Sequence, residues 1–488
     1  MLSYFSTRDD QTKISSAEAI VNGLAPDGGL YVPDDLSALA LDYCDVIRRD
    51  YRGMAKVVFD KFFPDFGADN IDRIVERSYE NKFSAPEITP VSKVGDGFVL
   101  ELYHGPTCAF KDVALSALPN LMTFASRQIG FEDEILILTA TSGDTGSAAL
   151  CGFSNVPGTK IIVFFPHGGV SDTQRLQMVT QPAPNTGVCA VRGNFDDAQT
   201  GVKRLFREIP HPREGVSLSS ANSINIGRLV PQVVYYFAAY KSLVEAGEIA
   251  EGDRVNYVVP TGNFGDIMAG YFAKVMGLPV GKLICASNRN DVLTEFLSTG
   301  HYDKRREFYK TTSPSMDILV SSNLERLLYF VCGSEHTKKY MKALSTAGEY
   351  TITADELARI QADFAWYSCD DARGAAAIGD AFHKYGYLMD THTSIAWGAF
   401  EDLKAAGAPE AEGACVVLST ASPYKFTKAV LEALGADVPA GDKEQMDQLA
   451  AVTGVPVPAS LADIFTKEVK HKSVIDVDEM KDFVVSRA

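Results

Sequence analysis

Ile135-Leu136-Ile137-Leu138 runs without interruption into Thr139-Ala140-Thr141-Ser142-Gly143-Asp144-Thr145-Gly146, and the small-residue stretch Ser147–Phe153 follows. Four consecutive aliphatic residues fit a strand buried on both faces. The turn after them is rich in glycine and hydroxyls, and the residues beyond it suit a helix. The same succession recurs when Val255–Val259 runs into Pro260–Gly265 and then Asp266–Met276. Ile161–Phe165 stops at Pro166-His167-Gly168-Gly169, and Leu283–Ala286 and Cys415–Leu418 are further buried-strand candidates. Strands this apolar, alternating with helices, predict open parallel sheets in an α/β architecture.

Around these units the chain, 488 residues long, is too long for one ordinary domain. Residues 1–95 contain helical stretches (Ser15–Ala25, Asn70–Lys82) ahead of any anion-type loop and are expected to form an N-terminal helical unit. A smaller α/β domain is expected over 96–225, a larger one over 226–430 and a helical tail over 431–488. Residues 300–370 are charged, mostly helical and without strong strands, as in an insertion that caps a site.

A formal net charge of −17 argues against broad binding to nucleic acid or anionic lipid. It leaves room for a small basic pocket. No run approaches the roughly 18 apolar residues of a spanning helix. The eight cysteines are scattered with no CxxC pair, and the histidines show no ligand spacing, so no metal site is expected. Reduced thiols and an N-terminus without signal or transit character predict a cytoplasmic protein.

Four segments could carry chemistry. Tyr103-His104-Gly105-Pro106-Thr107-Cys108-Ala109-Phe110-Lys111-Asp112 sets one lysine among small and apolar residues. Desolvation there lowers an amine's pKa, and a neutral amine condenses with an aldehyde, so a cofactor aldehyde is its natural partner. Taken alone, Lys111 reads more readily as a surface lysine starting a helix and paired with Asp112. The Thr141–Thr145 turn offers N–H groups, hydroxyls and a helix N-terminus to a carboxylate or phosphate, or is only a tight turn with Asp144 or Thr145 as cap. It lacks the lysine of a nucleotide-binding P-loop. Thr261-Gly262-Asn263-Phe264-Gly265-Asp266 fits an anion cradle for one phosphate better than a dinucleotide fingerprint. Leu418-Ser419-Thr420-Ala421-Ser422-Pro423 places hydroxyls at the carboxyl end of a strand, where α/β proteins bind ligands, or caps a helix before Tyr424.

Together and in this order, the four segments resemble the threonine synthase family, pyridoxal-phosphate enzymes of the tryptophan-synthase-β type (fold type II). The resemblance extends to Tyr4 with Ser6-Thr7-Arg8, Asp27–Pro33, Gly193–Gln199, Ala221–Arg228, Met316-Asp317 and Ser322–Arg326, and covers roughly residues 1–430. It implies two open parallel-sheet α/β domains with pyridoxal 5'-phosphate in the cleft between them. It implies that Lys111 carries the cofactor and acts as the catalytic base. Gly262, Asn263, Phe264, Gly265 and Asp266 would bind the cofactor phosphate, and Thr420 the pyridine nitrogen. Thr141, Ser142, Gly143, Asp144 and Thr145 would grip the substrate α-carboxylate, with Arg228, Asn323 and Arg326 also on the substrate side and Lys425 a further candidate for its phosphate. Asp266 stands where many members have asparagine; a carboxylate beside a phosphate is tolerable when it faces away. His104 reads as a structural histidine beside its Gly-Pro turn.

The implied reaction takes O-phospho-L-homoserine and water to L-threonine and phosphate. Small-molecule partners follow, without nucleic acid or membrane, and a homo-oligomer stays open. A phospho-lyase making 2-oxobutyrate shares these motifs and is the runner-up. Hydroxy-amino-acid dehydratases differ around the lysine. A silent binding homologue would usually lack Lys111, and an oxidoreductase would need fingerprint glycines that are absent.

Overall fold

The computed structural model describes residues 2–488, the side chain of Asp196 excepted. Two parallel sheets organise it. In the six-stranded sheet the order is Phe364–Ser368, Val280–Ser287, Val255–Pro260, Ala414–Ser419, Gly97–Glu101, Val91–Val94; only the last pair is antiparallel. In the five-stranded sheet Ser473–Ile475, Thr186–Val191, Thr159–Pro166, Glu134–Ala140 and Val216–Ser219 are all parallel. The five strands read from sequence each lie inside one of these. Val255–Pro260 and Thr186–Val191 are buried along their whole length, as helices on both faces of a parallel sheet require.

Between the strands Val216–Ser219 and Val255–Pro260 runs Ile226–Glu245, a helix whose first ten residues are all buried and which contains Pro231. Its hydroxyl-bearing face matters below.

Sheet membership departs from the expected boundaries. Val91–Val94 and Gly97–Glu101 form a hairpin that completes the edge of the larger sheet, and the tail returns to the smaller sheet through Ser473–Ile475, which pairs with Thr186–Val191. The N-terminal unit is not helical alone: Tyr4–Ser6 pairs with Asp9–Ile14 and Tyr31–Pro33 in a small antiparallel sheet. Residues 300–370 hold the long helix Leu324–Thr346, but also the His301–Asp303/Glu349–Thr351 ladder and the edge strand Phe364–Ser368. These strands are short, and short strands carry too few alternating positions for a periodicity to register. Among the described residues no helix is long and apolar enough to cross a membrane.

Candidate active site

Three strands end on the site, each with its loop at the carboxyl end. Glu134–Ala140 leads to Thr141–Gly143, Val255–Pro260 to Thr261–Phe264, and Ala414–Ser419 to Thr420–Ser422. The lysine segment is stitched to the third of these. Phe110 N–H donates to the Thr420 carbonyl at 2.8 Å and Ser422 N–H to the Cys108 carbonyl at 3.0 Å, with an antiparallel bridge at Ala109/Ala421. Cys108 adopts φ +58°, a left-handed conformation that costs a side-chain-bearing residue energy and persists because the neighbours over-determine it.

Lys111 opens the helix Lys111–Leu115, and its side chain is 11% exposed. Its Nζ lies 3.4 Å from Ser315 Oγ, 3.7 Å from Asp144 Oδ2 and 4.9 Å from the centre of the Phe110 ring. Burial pulls its pKa below the ordinary lysine value. Asp144 opposes that shift, and Lys425 and Arg228 add to it. The alternative of a surface lysine paired with Asp112 does not hold. Asp112 is itself buried and accepts from Thr107 N–H at 2.8 Å and Thr107 Oγ1 at 2.7 Å, closing the Gly-Pro-Thr turn.

In the second loop Thr141 Oγ1 accepts from the N–H groups of Gly143 and Gly146, both at 2.9 Å, so its hydroxyl shapes the turn from within. Gly143 sits at φ +135°, and a Cβ there would fall 2.4 Å from Gln174 Cδ. Ser142 and Thr145 stand half-buried at the rim. Asp144 is the first residue of the helix Asp144–Phe153, with Gly143 as its cap. Its carboxylate receives Lys425 Nζ at 2.7 Å and Gln174 Nε2 at 3.0 Å. Burial would raise the Asp144 pKa, but Lys425 and Lys111 outweigh it and hold the group well below the usual carboxylate range.

The third loop is an N–H cradle. Its carbonyls are drawn outward: Ser321 Oγ donates to the Gly262 carbonyl at 2.8 Å, and Asn323 N and Nδ2 both donate to the Asn263 carbonyl at 3.0 Å. Phe264 takes φ +61°, and the helix Gly265–Val275 begins there with first-turn N–H groups that have no intrahelical acceptor. Gly262 is required by contact, since a Cβ would lie 2.6 Å from the Ser315 carbonyl. Asp266 faces away: Tyr235 Oη donates to its Oδ1 at 2.5 Å and Tyr236 Oη at 3.1 Å, while Oδ2 is buried without a partner. Burial outweighs those two donors and pushes its pKa up to about 6.

Two of the expected substrate residues are engaged elsewhere. Arg326 is fully buried; its Nε donates to the Tyr31 carbonyl at 3.1 Å and Nη2 to the Ile224 carbonyl at 2.6 Å, and Nη1 bonds Asn323 Oδ1. Arg326 and Asn323 therefore brace the cradle from behind, with the guanidinium spent on chain acceptors. Arg228 differs. One nitrogen donates to the Ala221 carbonyl at 2.5 Å, while its buried Nε has no partner. His104 is structural, held by Glu101 Oε2 at 2.8 Å and Ser84 Oγ at 3.2 Å.

Sequence reasoning missed Ser315, His392 and Gln174, and named Lys425 only as a candidate. Ser315 lies on the segment Ser313–Asp317 that packs over Gly262. Its N–H donates to His392 Nε2 at 3.1 Å, and His392 Nδ1 meets Asp390 Oδ2 at 2.7 Å. Asp317 anchors the same segment through Asn288, Asn290 and Thr311. Only Lys425, two residues past the Ser422-Pro423 motif, carried a signal. Away from the cleft, His301, Asp303 and Glu349 bring ligand-type atoms within 4.8 Å of one another, and Arg305 already bridges the two carboxylates.

The donor set fits pyridoxal phosphate: a buried amine of lowered pKa, an N–H cradle for a phosphate and a strand-end hydroxyl at Thr420. Family models agree in order along the chain. "Threonine synthase N terminus" matches residues 3–79, "Pyridoxal-phosphate dependent enzyme" 89–421, and "Threonine synthase, C-terminal" 393–484. Human threonine synthase-like 1 is 37% identical over 88% of this chain, which spans 60% of that relative's length. Threonine synthase of Schizosaccharomyces pombe is 36% identical, covering 89% of both chains. The crystal structure of pyridoxal-phosphate-bound threonine synthase from Brucella melitensis superimposes with a TM-score of 0.88 at 36% identity, covering 100% of this chain and 99% of that one. The yeast threonine synthase structure gives 0.89 at 31% identity, with 99% and 98% covered.

Proposed function

The chain belongs to the threonine synthase family of pyridoxal-phosphate-dependent enzymes, with the fold type II architecture, and from that premise we propose that it converts O-phospho-L-homoserine and water to L-threonine and inorganic phosphate. One observation supports this most directly: the buried Lys111 amine stands against Asp144 of one anion-ready loop and against Ser315, which packs on Gly262 of the other.

Pyridoxal phosphate, when bound, supplies the electron sink for cleavage at Cα. Lys111 would hold it. The N–H groups of Gly262, Asn263, Phe264, Gly265 and Asp266 would bind its phosphate, and the Thr420 hydroxyl would meet the ring nitrogen. The Asp266 side chain, turned to its tyrosines, leaves only its backbone for that task. Thr141, Ser142, Gly143, Asp144 and Thr145 would orient the substrate α-carboxylate through backbone N–H groups and rim hydroxyls. Lys111, its pKa lowered by burial, would take the proton from Cα, move a proton at Cβ and return one to Cα at the end. Arg228 is the cation we assign to the departing phosphate, because its buried Nε awaits an acceptor.

We extend the reading to a cytoplasmic, small-molecule enzyme with no nucleic-acid or membrane partner, its assembly state open. Incubating the cofactor-loaded protein with O-phospho-L-homoserine tests it. Phosphate release matched by threonine, and abolished in Lys111→Ala, is the expected result. Phosphate matched by 2-oxobutyrate makes the protein a phospho-lyase, and absence of phosphate release removes the substrate assignment.

A further inference from the structure

Lys425 is a buried lysine whose Nζ touches Asp144 Oδ1 at 2.7 Å and the Thr107 carbonyl at 2.9 Å. Its side chain is fully buried, so it is spent inside the protein, not waiting at the mouth of the cleft for a substrate phosphate. Asp144 is contested. Lys425 holds it at contact distance, Gln174 takes a second bond at 3.0 Å, and Lys111 stands off at 3.7 Å. A lone carboxylate facing Lys111 in this dry pocket would draw the ammonium form into a full ion pair, and an ammonium does not condense with an aldehyde.

We propose that Lys425 is a positioning residue that claims the Asp144 carboxylate and so keeps the Lys111 amine free to carry the cofactor. Three features of the fold support it. Lys425 follows the Ser422 cap on the strand end that is stitched to Cys108–Phe110, so the two lysines ride on one bridged unit. The Thr107 carbonyl that anchors Lys425 belongs to the turn closed by Asp112, and Gln177 Nε2 also donates to that carbonyl at 3.0 Å, which fixes where the ammonium can sit. Gln174, on the helix Asp172–Val179, donates to the same Asp144 oxygen that Lys425 holds. The other charged or titratable groups facing this pair are Arg228 on Ile226–Glu245, Asp112 beside Lys111, Cys108, His392 at the start of Thr391–Ala405, and Asp266 beyond the cradle. None of them touches Asp144 in place of Lys425 among the described residues.

The proposal rests on the reading of Lys111 as the cofactor lysine. Its test is the pH titration of the visible absorbance of the cofactor on Lys111, measured on the loaded enzyme without substrate. Lys425→Met leaves Lys111 as the nearest cation to Asp144 and is expected to raise the apparent pKa of that transition by about one unit or more, the size of shift an opposite charge within reach produces. Adding Asp144→Asn to the same chain is expected to remove most of the rise, and Lys425→Arg to keep the wild-type transition. A Lys425→Met chain whose titration is unmoved while its KM for O-phospho-L-homoserine climbs overturns the proposal in favour of a substrate contact. A rise that Asp144→Asn does not reverse also overturns it, leaving Lys425 as packing for the Thr107 turn. A wild-type protein with no lysine-bound absorbance overturns the assignment of Lys111 and this proposal with it; one that shows the absorbance but turns over no substrate defeats only the proposed reaction.

Discussion

Asp144 and Asp266 stand in the first helical turn of two strand–turn–helix units, one in each sheet, and their pKa values are driven in opposite directions. Both are buried, at 3% and 7% exposure, and both stand in the first turn of a helix, where the N-terminal dipole favours negative charge. Asp144 meets two lysines and an amide, and its pKa falls; Asp266 meets two tyrosine hydroxyls, and burial drives its pKa up to about 6. Neutral donors satisfy a lone pair without supplying the opposite charge that would repay desolvation. The lesson is that the motif fixes where the carboxylate stands, and residues far along the chain decide which way its pKa moves. For the cradle, a carboxylate turned towards its tyrosines is what the phosphate we assign there can tolerate.

The largest test removes the charged member. Asp144→Asn breaks a buried ion pair and leaves Lys425 in direct contact only with neutral acceptors, which should cost about 3 kcal/mol at neutral pH, measured by denaturant unfolding. The sign is set by the depressed folded-state pKa. The contribution is present above the ordinary carboxylate value of 3.8 and is lost as pH falls below it towards the folded value. Wild type and variant should therefore converge only in strong acid. Equal stability at neutral pH would erase the contrast between the two loops.

Asp266→Asn should show the reverse trend and a smaller effect. Its folded-state pKa is raised from 3.8 to about 6, so whatever the carboxyl contributes is intact below 3.8 and lost as pH rises through about 6. Asparagine keeps an acceptor for Tyr235 and Tyr236 without ionising. The variant should gain on wild type as pH rises, by up to about 2 kcal/mol at pH near 8, a shift of this size converted at about 1.4 kcal/mol per unit and discounted for weaker tyrosine bonds. A gain that grows in acid instead would mean that Asp266 is held ionised by a cation.

What the sequence disclosed follows the same division. Long apolar strands and their Gly-rich turns were legible because periodicity and turn chemistry are local, and they located Lys111 and the two anion-ready loops. The hairpin Val91–Glu101, the returning strand Ser473–Ile475 and the edge strand Phe364–Ser368 were not, because strands this short carry too few alternating positions to register, and the last two pair with strands far away in sequence. Arg326 was misplaced for a related reason: a buried arginine bracing Tyr31, Ile224 and Asn323 has the same letter as one that greets a phosphate. Ser315 and His392 sit in stretches with no glycine punctuation and no charge pattern. Only packing against Gly262 and Lys111 gives them their part.

A third strand end separates capping from ligand binding at the smallest scale. Ser422 caps the short turn Pro423–Lys425, accepting from Tyr424 N–H at 3.3 Å, whereas Thr420, two residues earlier and 5% exposed, contributes its carbonyl to Phe110 N–H. If hydroxyls at a strand end divide labour as the two aspartates do, removing each should fail in a different assay. Ser422→Ala should lower stability by about 1 kcal/mol, the usual value of such a cap, with cofactor affinity unchanged. Thr420→Val keeps the side-chain shape and deletes the hydroxyl we assign to the ring nitrogen, so cofactor affinity should fall about tenfold, one hydrogen bond's worth, as read by equilibrium titration of the stripped protein. An affinity loss in Ser422→Ala and none in Thr420→Val would exchange the two roles, and would move the cofactor ring towards Pro423 and away from the Cys108–Phe110 bridge that positions Lys111.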